Sequence, residues 1–381
     1  MAACFSMWSN LTKISSVFSQ RKIQIRFLNG ESHTLHSPVM TRECIGFLSP
    51  KDDEVFIDAT FGAGGHSCAI LKSAMCKVFA VDRDPMAIEI AQVLSTRPEY
   101  KARLVPIHGK FSQLLELAKY NQIDEETIHG VLLDVGPSSM QFDDPSRGFS
   151  VNKDGPLDMR MDGQTSCSNK RSATFTAADV VNTIGEQELV SVLRNYGGEK
   201  DAGRITRAII KAREKEEIIT TKQLATVVSN AVGFGRKDKL NRFAHPATKT
   251  FQALRILVND ELNELQKALK AAQKLLVPGG RLVVISFHSV EDIIVKHFLK
   301  DPPVESISRR KAQLSPKNSA WLPLNKKVVC PSDQELLCNP RCRSAKLRAA
   351  VKTNNTVLSL NQLTHILDEV AKGTVKEGPT H

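Results

Sequence analysis

The stretch "VFIDATFGAGGHS", residues 55–67, decides how this chain is read. Val55, Phe56 and Ile57 make a short apolar run ending in Asp58, and Gly62, Gly64 and Gly65 follow close together. The run reads as a buried strand and the glycines as a tight turn into a helix. Small residues after a strand let a ligand approach the backbone closely. A phosphate, a dinucleotide or S-adenosylmethionine fits such a turn.

Outward from that turn the pattern repeats. "KVFAVDRD" (77–84), "ARLVPIHG" (102–109), "GVLLDVGPSS" (130–139) and "RLVVISFHS" (281–289) are further apolar runs. Residues 66–74, 85–94 and 111–120 between them read as helices, with Pro85 suited to a first turn. Continuous apolar strands alternating with helices imply a parallel sheet covered on both faces, an α/β fold. From about 142 to 242 the strand pattern stops. "TAADVVNTI", "EQELVSVLRNY", "AGRITRAIIKAREKE" and "TKQLATVVSNAV" read instead as an inserted helical module, with Thr176 and Thr221 as caps. After His245 one long helix is expected, carrying Phe251, Leu254, Leu257, Val258, Leu262, Leu265 and Leu269 on one face and stopped by Pro278, Gly279 and Gly280. A basic, Pro-containing stretch and a short segment, "SAKLRAAVK" (344–352), close the pattern. The expected division is 33–145 and 243–355 for the α/β domain, 146–242 for the insert, and 356–381 for a terminal helix and tail.

The chain has 381 residues, 41% of them apolar, and its longest apolar runs are far too short to cross a bilayer. Net charge is +11. The first thirty residues hold Lys13, Arg21, Lys22 and Arg26 and no acid, are rich in Ser, and repeat apolar residues at Phe5, Trp8, Leu11, Ile14 and Phe18. Residues 1–32 therefore read as a mitochondrial transit peptide and address the protein to the matrix; a disordered basic tail is the plainer alternative. A second basic stretch runs from Arg309 through Lys317, Lys326 and Lys327 to Arg341, Arg343, Lys346 and Arg348, and suits a polyanion backbone or simply a solvated surface. The eight cysteines are scattered, and Cys330, Cys338 and Cys342 lack the paired spacing of a zinc set, so free thiols and no metal are expected.

Three of the first four runs carry an acid at their end: Asp58, Asp82 and Asp134. In an open parallel sheet, ligands bind beyond the carboxyl ends of the strands. An acid about twenty residues past the glycine turn, as Asp82 is, accepts from ribose hydroxyls, which nicotinamide dinucleotides and S-adenosylmethionine both offer. The turn lacks the spaced three-glycine fingerprint of dinucleotide binders, and no GKS or GKT follows it. Asp58 and Asp134 would repel a pyrophosphate and attract an ammonium and a sulfonium, which favours S-adenosylmethionine.

The blocks "DATFGAGGHS", "AVDRDPMAI", "RGFS…DGPLDMRMD", "HPATKTFQALR" and "NPRCRSAKLR" together resemble the bacterial methyltransferases that modify N4 of a cytidine in small-subunit ribosomal RNA, from about His36 to Lys352. With the amino-terminal address, the chain looks like the animal mitochondrial branch of that family. The resemblance implies a class I S-adenosylmethionine-dependent methyltransferase sheet, Rossmann-like, with an inserted helical domain. It implies cofactor contacts at Gly64, Gly65, His66, Asp82, Phe111, Asp134 and Gln141; Asp58 joins them by position. The implied substrate is mitochondrial small-subunit (12S) RNA or the assembling subunit, with no membrane partner. The chain departs from the family at Pro137 and Met140 in the loop after Asp134.

The chemistry needs an acceptor for an amine hydrogen, because the exocyclic nitrogen is a poor nucleophile. The base must also be single-stranded or unstacked. Asp134 is the expected acceptor, and His288, after the fifth run, an expected substrate-pocket residue. Phe142, Phe149 and Phe287 are candidates to stack on the base or to pack the core. Arg204, Arg207 and Lys211 share a helix face that suits RNA phosphates or plain solvent. A non-catalytic, cofactor-binding assembly factor is the rival reading; a DNA amino-methyltransferase and a dehydrogenase fit less well.

Overall fold

Among the described residues, six of the seven strands run in one direction, because each apolar run is followed by a helix that carries the chain back. The structure is a computed structural model that describes residues 38–163, 175–233, 245–300 and 319–353. The transit-peptide and 356–381 expectations lie outside the described residues, as do Arg309, Arg310, Lys311 and Lys317 of the basic stretch. The strands are β1 (Val55–Asp58), β2 (Lys77–Asp82), β3 (Leu104–His108), β4 (Ile128–Asp134), β5 (Leu276–Ser286), β6 (Trp321–Pro323) and β7 (Lys346–Lys352). Their order is β3-β2-β1-β4-β5-β7-β6, with β7 antiparallel to both neighbours. The helices are α1 (Thr41–Leu48), α2 (Gly65–Ser73), α3 (Pro85–Ser95), α4 (Leu114–Tyr120), α5 (Ser139–Asp143), α6 (Ala177–Thr183), α7 (Glu186–Asn195), α8 (Ala202–Arg213), α9 (Thr221–Val232), α10 (Thr248–Asn259), α11 (Glu261–Leu275), α12 (Ser289–Phe298) and α13 (Asp333–Cys338).

The runs are continuously apolar because both faces of the sheet are covered. Side chains alternate across a strand. Phe56, Val78, Leu132, Val283 and Ile285 therefore pack with Leu48, Ile70 and Leu94 of α1, α2 and α3. Ile57, Phe79, Val131, Leu133, Leu282 and Val284 pack with Leu114, Leu265, Leu269 and Val295 of α4, α11 and α12. Each such side chain contributes about 1.5–3 kcal/mol on burial. A third core joins Val181, Leu189, Ile205, Ile209 and Leu224 of α6–α9 to Leu157, Met159 and Met161 before them and Phe251 and Leu254 of α10.

Four local expectations change. The long helix after His245 is two helices, because Asp260 turns left-handed at φ 51° between α10 and α11. Aspartate tolerates that conformation better than most residues. Pro278, Gly279 and Gly280 do not stop α11, which ends at Leu275; they sit where β5 breaks register, Ile128 pairing with Leu276 and Gly130 with Arg281. The cap of α9 is Thr220, whose hydroxyl accepts from the Gln223 amide, not Thr221. The short closing segment is the antiparallel β7, and three-residue β6 lies in the basic stretch where no strand was expected. No described helix is long and apolar enough to cross a membrane.

Candidate active site

Strand order reverses between β1 and β4, and in an open parallel sheet the ligand crevice lies beyond the carboxyl ends of the strands at such a point. The glycine turn forms one wall. Gly62 and Gly64 hold φ of 54° and 83°, and a Cβ at Gly64 would stand 2.6 Å from the Phe61 ring. The backbone can fold this tightly only without side chains. Gly64 caps α2 with no side-chain bond, so the first amides of that helix stay available to an anion.

The three acids converge on this crevice. Asp58, fully buried at the end of β1, accepts from the Ser67 hydroxyl at 2.7 Å and the Thr60 amide at 3.1 Å. Burial raises its pKa against the lowering influence of His66, Ser67 and Thr60. Asp82, at the end of β2, accepts from the Gly62 and Asp84 amides, both at 2.8 Å. Desolvation, with Asp84 and Asp58 as like charges, pushes its pKa up to about 7 despite those amides. Each of its oxygens keeps a lone pair for a hydroxyl donor. Asp134, at the end of β4, donates its amide to the Thr60 hydroxyl at 2.7 Å. Its Oδ2 stands 3.5 Å from His66 Nε2, while its Oδ1 has no partner among the described residues. Burial disfavours the His66 imidazolium, but Asp134 and Asp58 outweigh it and hold the pKa above the ordinary value.

The other expected residues sit around this centre in different ways. Phe111 opens a 3-10 turn just past β3 and packs its ring, half-buried, against the second core. Gln141 is buried, with its amide nitrogen on Asp84 Oδ2 at 2.8 Å and on the Met161 carbonyl, and its oxygen accepting from the Ser138 amide. His288 lies at the start of α12 with Nε2 2.8 Å from Glu291 Oε1. Glu291 is fully buried, accepts from the Phe287 amide, and lies 3.9 Å from Arg255, which is itself forked onto Glu261. Of the three aromatics, Phe149 is buried in the third core. Phe142 meets it edge-on at 6.1 Å with Arg341 over its ring, and Phe287 packs on the first core. No described group of His, Cys, Asp and Glu is arranged to hold a metal. A hollow of about 470 Å³, lined by Leu71, Ala74, Arg97, Tyr100 and Arg103, lies past the far end of α2; Arg103 is committed there to the Leu71 and Ala74 carbonyls.

The sequence profile of the MraW methylase family matches residues 33–353. A 12S rRNA N(4)-cytidine methyltransferase METTL15 from Homo sapiens is 47% identical over 348 residues, covering 84% of this chain and 83% of that one. A probable methyltransferase-like protein 15 homolog from Drosophila melanogaster is 44% identical, covering 84% and 93%. Ribosomal RNA small subunit methyltransferase H from Hyphomonas neptunium is 46% identical, covering 84% and 89%. The chain belongs to the MraW methylase family. It is a methyltransferase, and S-adenosylmethionine is its methyl donor. A rRNA methylase structure from Streptococcus thermophilus overlays at 10% identity with a TM-score of 0.35, covering 83% of this chain and 95% of that one; the fold rests instead on the strand order itself.

In this MraW methylase the "DGPLDMRMD" block is a buried strap, and its residues were missed as structural parts. Leu157, Met159 and Met161 point into the third core, while Asp158, Arg160 and Asp162 alternate with them, buried and charged. Asp162 lies 3.1 Å from Lys110 and 3.4 Å from Arg83, and those two cations hold its pKa below the ordinary range against its burial. Arg147 bonds Asp84 at 2.8 Å and the Met161 carbonyl at 2.8 Å. Asn259 receives the Met161 amide and donates to the Met159 carbonyl. The strap thus ties the helices α6–α9 to the loop after Asp82. The period-two alternation from 157 to 162 was the available signal. Thr60 and Ser67, hydroxyls flanking Asp58 in the opening stretch, were also legible there.

Proposed function

We propose that this protein transfers a methyl group to the N4 amine of a cytidine in mitochondrial small-subunit (12S) ribosomal RNA, in the matrix. The observation that carries the reading is the convergence of Asp58, Asp82 and Asp134 with no Lys or Arg partner among the described residues. Carboxylates so placed fit a donor bearing an ammonium and a sulfonium, and the substrate follows from the names of the relatives. Asp82 holds the ribose hydroxyls. The first amides of α2, at Gly65 and His66, hold the donor's carboxylate, while Asp58 and Asp134 balance its positive charges. Phe111 supports the adenine side, and Gln141 fixes the wall by pinning Asp84. When bound, the donor supplies an electrophilic methyl: the N4–CH3 bond forms as the S–CH3 bond breaks, and that electron pair stays on sulfur. Asp134 accepts the amine proton, and His288 lines the cytosine pocket.

The division into an α/β domain (33–145 and 243–355) and an RNA-binding insert (146–242) belongs to the same reading. Arg204, Arg207 and Lys211 are exposed on α8, Arg204 with Asp201 at 3.3 Å. By contrast, Arg348 is forked onto Asp292 and Arg341 onto Asp143, so part of the carboxy-terminal basic stretch is already neutralised. A triple charge-neutral variant of Arg204, Arg207 and Lys211 is expected to flatten the log–log salt dependence of RNA affinity by about 2. An unchanged slope removes α8 from the interface.

Mass spectrometry of nucleosides from mitochondrial small-subunit RNA, with and without this protein, tests the function. Loss of N4-methylcytidine in its absence is expected. Unchanged N4-methylcytidine with defective small subunits supports the non-catalytic assembly reading instead.

A further inference from the structure

We infer that Glu335 is a positioning residue for the methyl donor: from near the other end of the chain it holds the turn at 38–41, and that turn braces the first amides of α2. The inference rests on the proposal that those amides bind the donor's carboxylate, and it names what keeps them in place.

Gly65 opens α2 and has no side chain to anchor it. The Pro38 ring supports it instead. A Cβ on Gly65 would stand 2.7, 2.9 and 3.0 Å from three carbons of that ring, so the proline lies directly on the glycine backbone. Gly64 is packed in the same way by Phe61 and Leu94, which a Cβ there would meet at 2.6 and 3.1 Å. Phe61 and Leu94 are buried in the first core and fixed by it. Pro38 is half-buried and takes its place from the turn that follows it.

That turn is set by two bonds and one unusual residue. The Thr41 hydroxyl donates to the Pro38 carbonyl at 2.9 Å. Met40 is left-handed at φ 52°, with its side chain buried in the first core. A residue other than glycine keeps that conformation only where its surroundings over-determine it. Met40 precedes α1 and makes no side-chain cap for it. Its amide donates to Glu335 Oε1, a bond that spans 295 positions of the chain. Without that acceptor the amide of a buried residue would be left unpaired, which is costly.

Glu335 can hold Met40 because its own segment is anchored. Its amide donates to the Ser332 hydroxyl at 3.2 Å. Leu336 packs on the first core, and Cys342 and Ala345, just beyond α13, are buried in it with Val39, Met40 and Cys44. The bond to Met40 needs an acceptor oxygen and no charge, so a glutamine carbonyl can take the same amide. Support therefore passes from Glu335 to Met40, from Met40 to Pro38, and from Pro38 to Gly65. Helix-start amides bind an anion through their direction, and a turn already ordered binds without the cost of ordering it.

Calorimetry on the full chain tests this, with S-adenosylmethionine and its decarboxylated form as the two probes. Wild type is expected to prefer S-adenosylmethionine by about tenfold or more. Glu335→Ala should weaken S-adenosylmethionine by about fivefold or more and leave the decarboxylated form within about twofold. Glu335→Gln should restore wild-type affinity. Pro38→Ala should match Glu335→Ala, and the double variant should be no weaker than either, because both cut one line of support. Steady-state transfer to RNA should place the loss in the donor KM and keep kcat. A lower melting temperature in Glu335→Ala with unchanged donor affinity makes the residue structural only and overturns the inference. Equal weakening of both probes overturns it too, as does a Glu335→Gln as weak as Glu335→Ala, which would make the charge the cause. Wild-type affinity in Pro38→Ala overturns it even if Glu335→Ala does not fold. A wild type that binds both probes alike sinks the carboxylate reading beneath it; a wild type with the expected preference beside an unaffected Glu335→Ala sinks the role of Glu335 alone.

Discussion

Two sets of buried or half-buried acids lie side by side at the rim of the sheet. Asp84, Asp158 and Asp162 each carry a cation: Arg147, Arg160, and Arg83 with Lys110. Asp58, Asp82 and Asp134 carry hydroxyls, backbone amides and one imidazole, and no Lys or Arg among the described residues. A buried carboxylate needs a compensating charge or hydrogen bonds. The first set is complete within the chain and fastens the helices α6–α9 to the cofactor loop. The second set has no such cation, and on the proposed reading a cationic ligand supplies the missing charge.

If the second set is chemical rather than structural, Asp134→Asn breaks it most. The expected loss is about 10²–10⁴ in single-turnover rate with an intact fold, read by labelled-methyl transfer and circular dichroism. The first set should fail in the opposite way. Arg147→Ala leaves Asp84 buried without its cation, and about 3–5 kcal/mol of stability should go, as read by denaturant unfolding. A fold as stable as wild type would erase the distinction between the two sets. Asp82→Ala should weaken donor binding by about 1.5–3 kcal/mol, tenfold or more by calorimetry, while the fold survives. Unchanged affinity in a folded variant would remove Asp82 from the site.

The smallest effect is in pH. Asp82 has its folded-state pKa raised from 3.8 to about 7, so the folded protein binds the proton more tightly than the unfolded chain. Its contribution favours the folded state in acid and is lost as pH rises from about 4 to about 7. Thermal melts of wild type and Asp82→Asn at pH 5 and pH 8 should show the variant gaining on wild type at the higher pH, more weakly where solvent reaches the group. Saturating donor should shrink the wild-type loss.

Legibility tracked distance along the chain. The three acid-bearing strand ends were readable because a strand, its terminal acid and the next turn are contiguous. The role of the strap at 157–162 was not legible, since its partners Arg83, Lys110 and Asn259 lie up to about a hundred residues away. His288 was readable as a strand-end histidine. Its pairing with Glu291, and through it with Arg255 and Glu261, was not, because that chain of charges spans three helices. The break at Asp260 was hidden by an apolar stripe that continues through both helices. Stripe periodicity records which face is buried and says nothing of a single left-handed residue between turns.

By itself the sequence determined the alternation of strand and helix, the acid at the end of each of three strands, and the glycines of the tight turn after β1. These follow from local rules: side-chain period, chain stiffness and the residues that turns demand. Only the tertiary structure decided which acids are neutralised from within and which remain open. That depends on where remote cations come to rest, and electrostatic energy at the sheet rim is set by distance in space rather than distance along the chain.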